Sequence, residues 1–264
     1  MPEEDRQMAD GYNEIRLERD GGVATLTLDK PPLNVLDIAM MEEMNEALVD
    51  LEGDDTLKAL IIRAEGKAFS AGVDITDHTA DKVEGMIRVF HDIFRHMHRI
   101  HAPIVAVVDG AALGGGCEVV LFADIVLASE RSKFGQPEIK VGVFPPIAAV
   151  ILPYLTGRQK ALELILTGDV IKAQEAHRIG IVNQVFPVEG FEEAVDGYIA
   201  KLAGLSAPVL QLTKRSVTES MGKPFPDAMR VVEDLYLGEL MDTEDANEGL
   251  AAFMEKRRPE WKDR

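Results

Sequence analysis

The sequence has one cysteine, Cys117, and one tryptophan among 264 residues. A lone cysteine excludes an intrachain disulfide and suits a reducing cytosol. Cys117 sits between a glycine and Glu118 with no legible histidine partner, so it reads as a buried, inert thiol. Cationic residues are scarce as well. Lys and Arg number 28 against 46 Asp and Glu, a net charge of −18. That balance speaks against nucleic acid or an anionic membrane surface as the main partner; an anionic ligand has to find a local cationic patch. No apolar run reaches the roughly 18 residues of a membrane span. The acidic start MPEEDRQMAD lacks the pattern of a secretory leader. A cytoplasmic protein is expected. The dinucleotide fingerprint G-x-G-x-x-G is missing too, since Gly110 is followed by Ala111, Ala112 and Leu113. His91, His96, His98 and His101 show no His-x-x-x-His spacing. They predict no metal site and suit the C-terminal end of a helix instead.

What the chain does have is a stretch from Ile104 to Glu138. An apolar β-branched run, Ile104 to Val108, is followed by Asp109-Gly110 and then by three glycines, Gly114 to Gly116. The run reads as a buried strand and the glycines as the opening of a helix. The first amides of a helix have no internal acceptor and carry the positive end of its dipole. Such amides suit a developing oxyanion. Glu118 follows one helical step later, and Glu138 follows the turn GQP. Two carboxylates beside oxyanion donors suit proton transfer next to a carbonyl. Gly72, in the loop Lys67 to His78, marks a second turn where another donor would fit.

The remainder alternates strand and helix, then turns wholly helical. Residues 1–10 are expected to fray. Tyr12 to Glu18 and Val23 to Leu28 alternate apolar and polar residues around Asp20-Gly21-Gly22, a hairpin pattern. Helices are predicted over 38–51 and 81–100, and a buried strand over 57–62. Pro145-Pro146 can start a helix, and the apolar stretch 147–155 must be buried or line a pocket. Short helices follow over 158–166 and 173–179, then a strand over 181–186. From Gly190 onward helices are predicted over 191–203, 208–220, 227–240 and 244–256. This order gives an α/β core with a helical extension. The boundaries expected are a core over 10–190 and a helical region over 191–264, within a single domain, 1–264.

Five segments in order carry a resemblance: KAFSAGVDI at 67–75, GAALGGGCE at 110–118, FGQPEIKVG at 134–142, AHRIGIVNQV at 176–185 and EGLAAFMEKRRPEWKDR at 248–264. Together they resemble the crotonase family, also called the enoyl-CoA hydratase/isomerase superfamily. The resemblance implies a spiral of ββα turns with a C-terminal helical region that trimerises, the assembly being a trimer or a dimer of trimers. It implies an acyl-CoA thioester as substrate and no separate cofactor. It places the oxyanion hole on the amides of Ala71 and Gly115, and the catalytic pair on Glu118 and Glu138, which hold one water between them.

By the same resemblance, Lys30, Pro31, Leu33, Gly72, Val73, Asp74, Ile75 and Gly114 line the CoA groove, and Phe253 and Lys256 reach the CoA of a neighbouring subunit. Keeping both glutamates favours a hydratase over an isomerase or hydrolase on the same scaffold. One departure bears on the substrate. FPPIAAVILP at 144–153 replaces the glycine-rich helix start of ordinary enoyl-CoA hydratases. With the segments 76–86 and 233–250 it resembles the subgroup that hydrates cyclohexa-1,5-diene-1-carbonyl-CoA in anaerobic benzoyl-CoA degradation. The acyl pocket is then expected from His78, Val141, Phe144 and Pro146. A general trans-2-enoyl-CoA hydratase is the alternative. A non-catalytic binding protein, the remaining reading, conflicts with the charge and with the intact glutamate pair.

Overall fold

A computed structural model describes residues 7–8 and 11–264, with side chains from residue 11 onward. The alternating stretch forms a hairpin, strand β2 (Ile15–Asp20) with β3 (Val23–Leu28), across Gly21-Gly22. Both glycines have positive φ, 54° and 83°, as a tight turn between right-twisted strands requires. The expected frayed start is partly ordered: β1 (Gln7–Met8) pairs antiparallel with Arg19 and Glu18. The rest of residues 1–10 lies outside the described residues.

From β3 the larger sheet continues in parallel through β4 (Ala59–Ala64), β6 (Ile104–Val108), β8 (Ile125–Ser129) and β11 (Gln184–Phe186). Strand β4 begins two residues later than its apolar run suggested, because the Leu57 amide closes a turn on the Asp54 carbonyl. Only the last three residues of the expected strand 181–186 pair. Every residue of β6 is buried, as a parallel strand covered on both faces must be. Alternate side chains divide between two cores. Leu60, Ile62, Ile104 and Ala106 pack with α1 (Ile38–Val49) and α2 (Val83–Arg99). Ala59, Ile61, Val105 and Val107 pack with Phe191 and Val195 of α7 (Phe191–Ala203).

A second, smaller sheet holds β5 (Ala68–Ser70), β7 (Ala111–Leu113), β9 (Lys133–Gly135) and β10 (Val170–Lys172), in the order β10-β9-β7-β5. Each turn of the chain places one strand in the large sheet and the next in the small one, then adds a helix: β4-β5-α2, then β6-β7-α3 (Gly115–Phe122). This is the ββα spiral. The helix behind the three glycines therefore follows β7, not β6 directly. Gly110, at φ 106°, makes the extra turn, and a side chain there would meet the Lys67 carbonyl at 2.4 Å.

The rest is helical: α4 (Pro146–Thr156), α5 (Arg158–Thr167), α6 (Ala173–Arg178), α7, α8 (Ala207–Ser220), α9 (Phe225–Gly238) and α10 (Glu244–Glu255). Helix α4 is less buried than its apolar sequence predicts. Ala148 and Leu152 face inward, whereas Val150 and Tyr154 are exposed. Phe225, Leu237, Phe253 and Met254 on α9 and α10 are each 70% or more exposed. Among the described residues no helix is long and apolar enough to cross a membrane.

Candidate active site

The three glycines at the start of α3 each admit a different neighbour. A Cβ on Gly114, which has φ 52°, would lie 2.8 Å from Glu138 Oε1. One on Gly115 would meet Val73 Cγ2 at 2.6 Å and Phe90 Cζ at 3.0 Å. One on Gly116 would meet Ser70 Cβ at 2.4 Å. Side chains at these positions would force apart β5, α2 and the loop carrying Glu138. The Gly114 amide donates to the Gly135 carbonyl at 2.9 Å, tying β9 to the helix start.

Glu118, on the first turn of α3, is 2% exposed. Its Oε1 accepts from the amides of Ile147 and Ala148, at 2.7 and 2.8 Å. Those are first-turn amides of α4, behind Pro146, which has no N–H to offer. The stretch FPPIAAV is therefore a cradle for Glu118. Burial pushes the Glu118 carboxyl up to about 8; the two amides pull it down, and the charge of Glu138 adds to the rise. Glu138 stands in a 3-10 turn, Pro137–Val141, that Gly142 ends in the left-handed region. Burial pushes its carboxyl up to about 7. Its Oε2 is buried without a hydrogen-bond partner. Both groups are held near neutrality, the range in which a carboxyl can both give and take a proton.

The amide expected from Ala71 is already engaged, donating to the Leu33 carbonyl at 2.9 Å. Two residues on, the situation differs. Leu36 and Val73 form a parallel bridge. The Leu36 amide donates to the Gly72 carbonyl at 2.9 Å, and the Asp74 amide donates to the Leu36 carbonyl at 3.0 Å. In such a bridge the central residue's own N–H faces the opposite edge. The free amide is therefore that of Val73, and no acceptor among the described residues takes it. Gly72, at φ 106°, breaks the extended alternation and turns the amides of Ala71 and Val73 to opposite sides. A Cβ on Gly72 would lie 3.6 Å from the Gly115 amide nitrogen, so the two free amides are neighbours. The amides free to meet an oxyanion are thus those of Val73 and Gly115, not that of Ala71, and Gly115 is the first residue of α3.

The other expected positions scatter around this centre. Lys30 is not a free cation: its Nζ pairs with Glu14 at 2.7 Å and with Asp37. Pro31 and Leu33 are exposed. Asp74 caps its own turn through the Thr76 amide, at 2.8 Å, and Ile75 is 66% exposed. His78 Nδ1 lies 3.0 Å from the Asp74 carbonyl, a loop-closing contact. Val141 and Phe144 are exposed, and Pro146 opens α4. Phe253 and Lys256 sit at the end of α10, whose main contacts are with α8 and the 240–242 turn. Nothing within the chain brings them to the two glutamates. Of the histidines, His96 is spoken for by Glu52, at 2.5 Å. The roles of Val73, Phe90 and the Ile147 and Ala148 amides escaped the sequence reading, because each depends on contacts across the spiral.

Two glycine-bounded amides and two carboxyls, Glu118 buried and Glu138 half-buried, on a ββα spiral define a crotonase-type scaffold. The chain belongs to the enoyl-CoA hydratase/isomerase family, whose model matches residues 18–264. It is 37% identical to a probable enoyl-CoA hydratase of Rhizobium meliloti, over 96% of this chain and 99% of that one. It is 36% identical to the cyclohexa-1,5-dienecarbonyl-CoA hydratase of Thauera aromatica, over 95% and 96% of the two chains. The crystal structure of an enoyl-CoA hydratase from Bacillus anthracis superposes with a TM-score of 0.90 at 28% identity, over 96% of this chain and all of that one.

Proposed function

We propose that this protein adds water across the double bond of an α,β-unsaturated acyl-CoA thioester. Family membership together with its hydratase-named relatives makes it a carbon–oxygen lyase of the enoyl-CoA hydratase type. The amides of Val73 and Gly115 hold the thioester oxygen as charge moves onto it, a stabilisation worth about 3–4 kcal/mol per donor. Glu118 and Glu138 share one water. One carboxylate takes a proton as the water oxygen attacks carbon, and the partner carboxyl delivers a proton to the neighbouring carbon. Water supplies both the hydroxyl and the proton, so the reaction as written needs no cofactor. The observation that carries this reading is the pair of carboxyls, Glu118 buried and Glu138 half-buried, raised toward neutrality beside the Gly114–Gly115 helix start.

The substrate we propose is the cyclic dienoyl thioester cyclohexa-1,5-diene-1-carbonyl-CoA, giving 6-hydroxycyclohex-1-ene-1-carbonyl-CoA. We assign the acyl pocket to Phe144, Pro146 and Val141, near the cradle of Glu118, and to His78; three apolar side chains would suit a flat ring. Lys30 to Leu33 and Val73 to Ile75 carry the CoA, and Phe253 and Lys256 act across a subunit boundary. That last role requires a homo-oligomer, proposed as a trimer or dimer of trimers, and the exposed apolar residues of α9 and α10 suit such packing. The likeness to the Rhizobium meliloti protein favours a second reading, a general trans-2-enoyl-CoA hydratase. A panel of ring and linear enoyl-CoA esters, with products weighed by mass spectrometry, tests both. Gain of one water on the ring diene with little turnover of crotonyl-CoA is expected. The reverse ranking selects the second reading, and isomerisation without gain of mass refutes both.

A further inference from the structure

Asn34 is fully buried and sits at φ 47°, a conformation that few residues except glycine and asparagine accept. Its side chain is saturated with backbone partners. Oδ1 accepts from the Lys30 amide at 2.8 Å. Nδ2 donates to the carbonyls of Glu65 and Ala68, at 2.7 and 2.9 Å. The Asn34 carbonyl in turn accepts from Ser70 Oγ at 2.7 Å. That same hydroxyl accepts from the Gly72 amide at 3.1 Å. Ser70 also packs against Gly116, one residue from the second donor. A continuous chain of buried hydrogen bonds thus runs from Asn34 through Ser70 to the residue before Val73. Neither Asn34 nor Ser70 is placed to touch the substrate.

We propose that Asn34 is a positioning residue: through Ser70 it fixes the direction in which the Val73 amide points across from Gly115. This rests on the hydratase reading above, in which that amide stabilises the thioester oxygen. Among the described residues the flanking segments 30–37 and 65–72 are joined by three backbone bonds, Lys67 to Pro32, Ala71 to Leu33 and Leu36 to Gly72, and otherwise by the Asn34 side chain and the Ser70 hydroxyl. Asparagine suits the task because it alone among side chains this short offers one acceptor and two donors. An isosteric aspartate keeps the acceptor and loses both donors, turning a carboxylate oxygen toward two carbonyls.

The test compares the wild type with Asn34→Asp and Ser70→Ala, using hydration kinetics and the absorption of bound 4-(dimethylamino)cinnamoyl-CoA. The absorption of that push–pull thioester moves to the red when its carbonyl is polarised. Asn34→Asp is expected to lower kcat roughly 10- to 100-fold, to change KM little, and to shrink the red shift. Ser70→Ala is expected to do the same on a smaller scale, roughly threefold to tenfold. Melting curves establish which variants fold. A folded Asn34→Asp with wild-type kcat and an undiminished red shift overturns the proposal. If it fails to fold, Ser70→Ala decides on the same two readouts. If the wild type itself shows neither hydration nor a red shift, the hydratase reading fails, and this inference with it. A normal wild type beside normal variants defeats this inference alone.

Discussion

Gly114 and Glu138 are in contact, and the contact admits no side chain at Gly114: a Cβ there would lie 2.8 Å from Glu138 Oε1. Gly114→Ala is therefore expected to push the carboxyl away from the oxyanion amides. The backbone at φ 52° and ψ −132°, a region essentially open only to glycine, adds roughly 1–3 kcal/mol of strain. The expected outcome is a folded protein, slightly lower in Tm, with kcat reduced far more than its affinity for a CoA thioester. Wild-type turnover would separate Glu138 from the reaction.

Replacing either acid by its amide keeps shape and removes the titratable proton. Glu118→Gln and Glu138→Gln are each expected to lower kcat by about 10²- to 10⁴-fold, with thioester binding retained. Enoyl hydration rates and equilibrium binding of a saturated acyl-CoA measure the two halves. The double variant should lose little more than the worse single one, because the two groups act on one water.

Much of this centre could be read from the chain alone. The glycine trio and the two glutamates stand out because helix-start amides and paired carboxyls have few other uses together. Strands β5, β7, β9 and β10 did not, since three residues are too few to show alternation. The free amide lies two residues beyond the expected Ala71 for a related reason. Which of Ala71 and Val73 has a free amide depends on the turn at Gly72 and on pairing with Leu33 and Leu36, some forty positions away. The α4 amides that hold Glu118 were equally hidden: Pro145-Pro146 announced a helix but not what its first turn would bind.

Both acids have carboxyls raised above the ordinary 4.5, to about 8 for Glu118 and about 7 for Glu138. The unfolded chain releases these protons at lower pH than the folded one. Between about 4.5 and about 8 the folded state thus holds the extra protons, and stability falls as pH rises. Urea unfolding from pH about 5 to about 9 should show this decline, and it should be shallower in Glu118→Gln. Activity should peak near neutrality, where the pair carries one proton, and each Gln variant should lose one limb of the profile.

Phe144→Ala opens the proposed acyl pocket. Under the ring-substrate reading it should lower kcat/KM for the cyclic diene about tenfold relative to crotonyl-CoA. A uniform loss on both substrates would place Phe144 outside the acyl pocket.

Burial pushes the Cys117 thiol up to about 12. Iodoacetamide should leave the native protein unmodified and active while labelling the urea-unfolded chain, as intact-mass measurement will show. Rapid labelling with loss of turnover would make the thiol part of the site.

The grip of Ile147 and Ala148 on Glu118 has a practical consequence for anyone redesigning this protein. The same few residues that open α4 hold an acid and shape the space beside it. Mutations selected there for a new acyl group will also retune the carboxyl of Glu118, so gains in selectivity and losses in rate will tend to arrive together. Libraries that spare the backbone of 145–148 and vary only outward-facing side chains should escape that coupling.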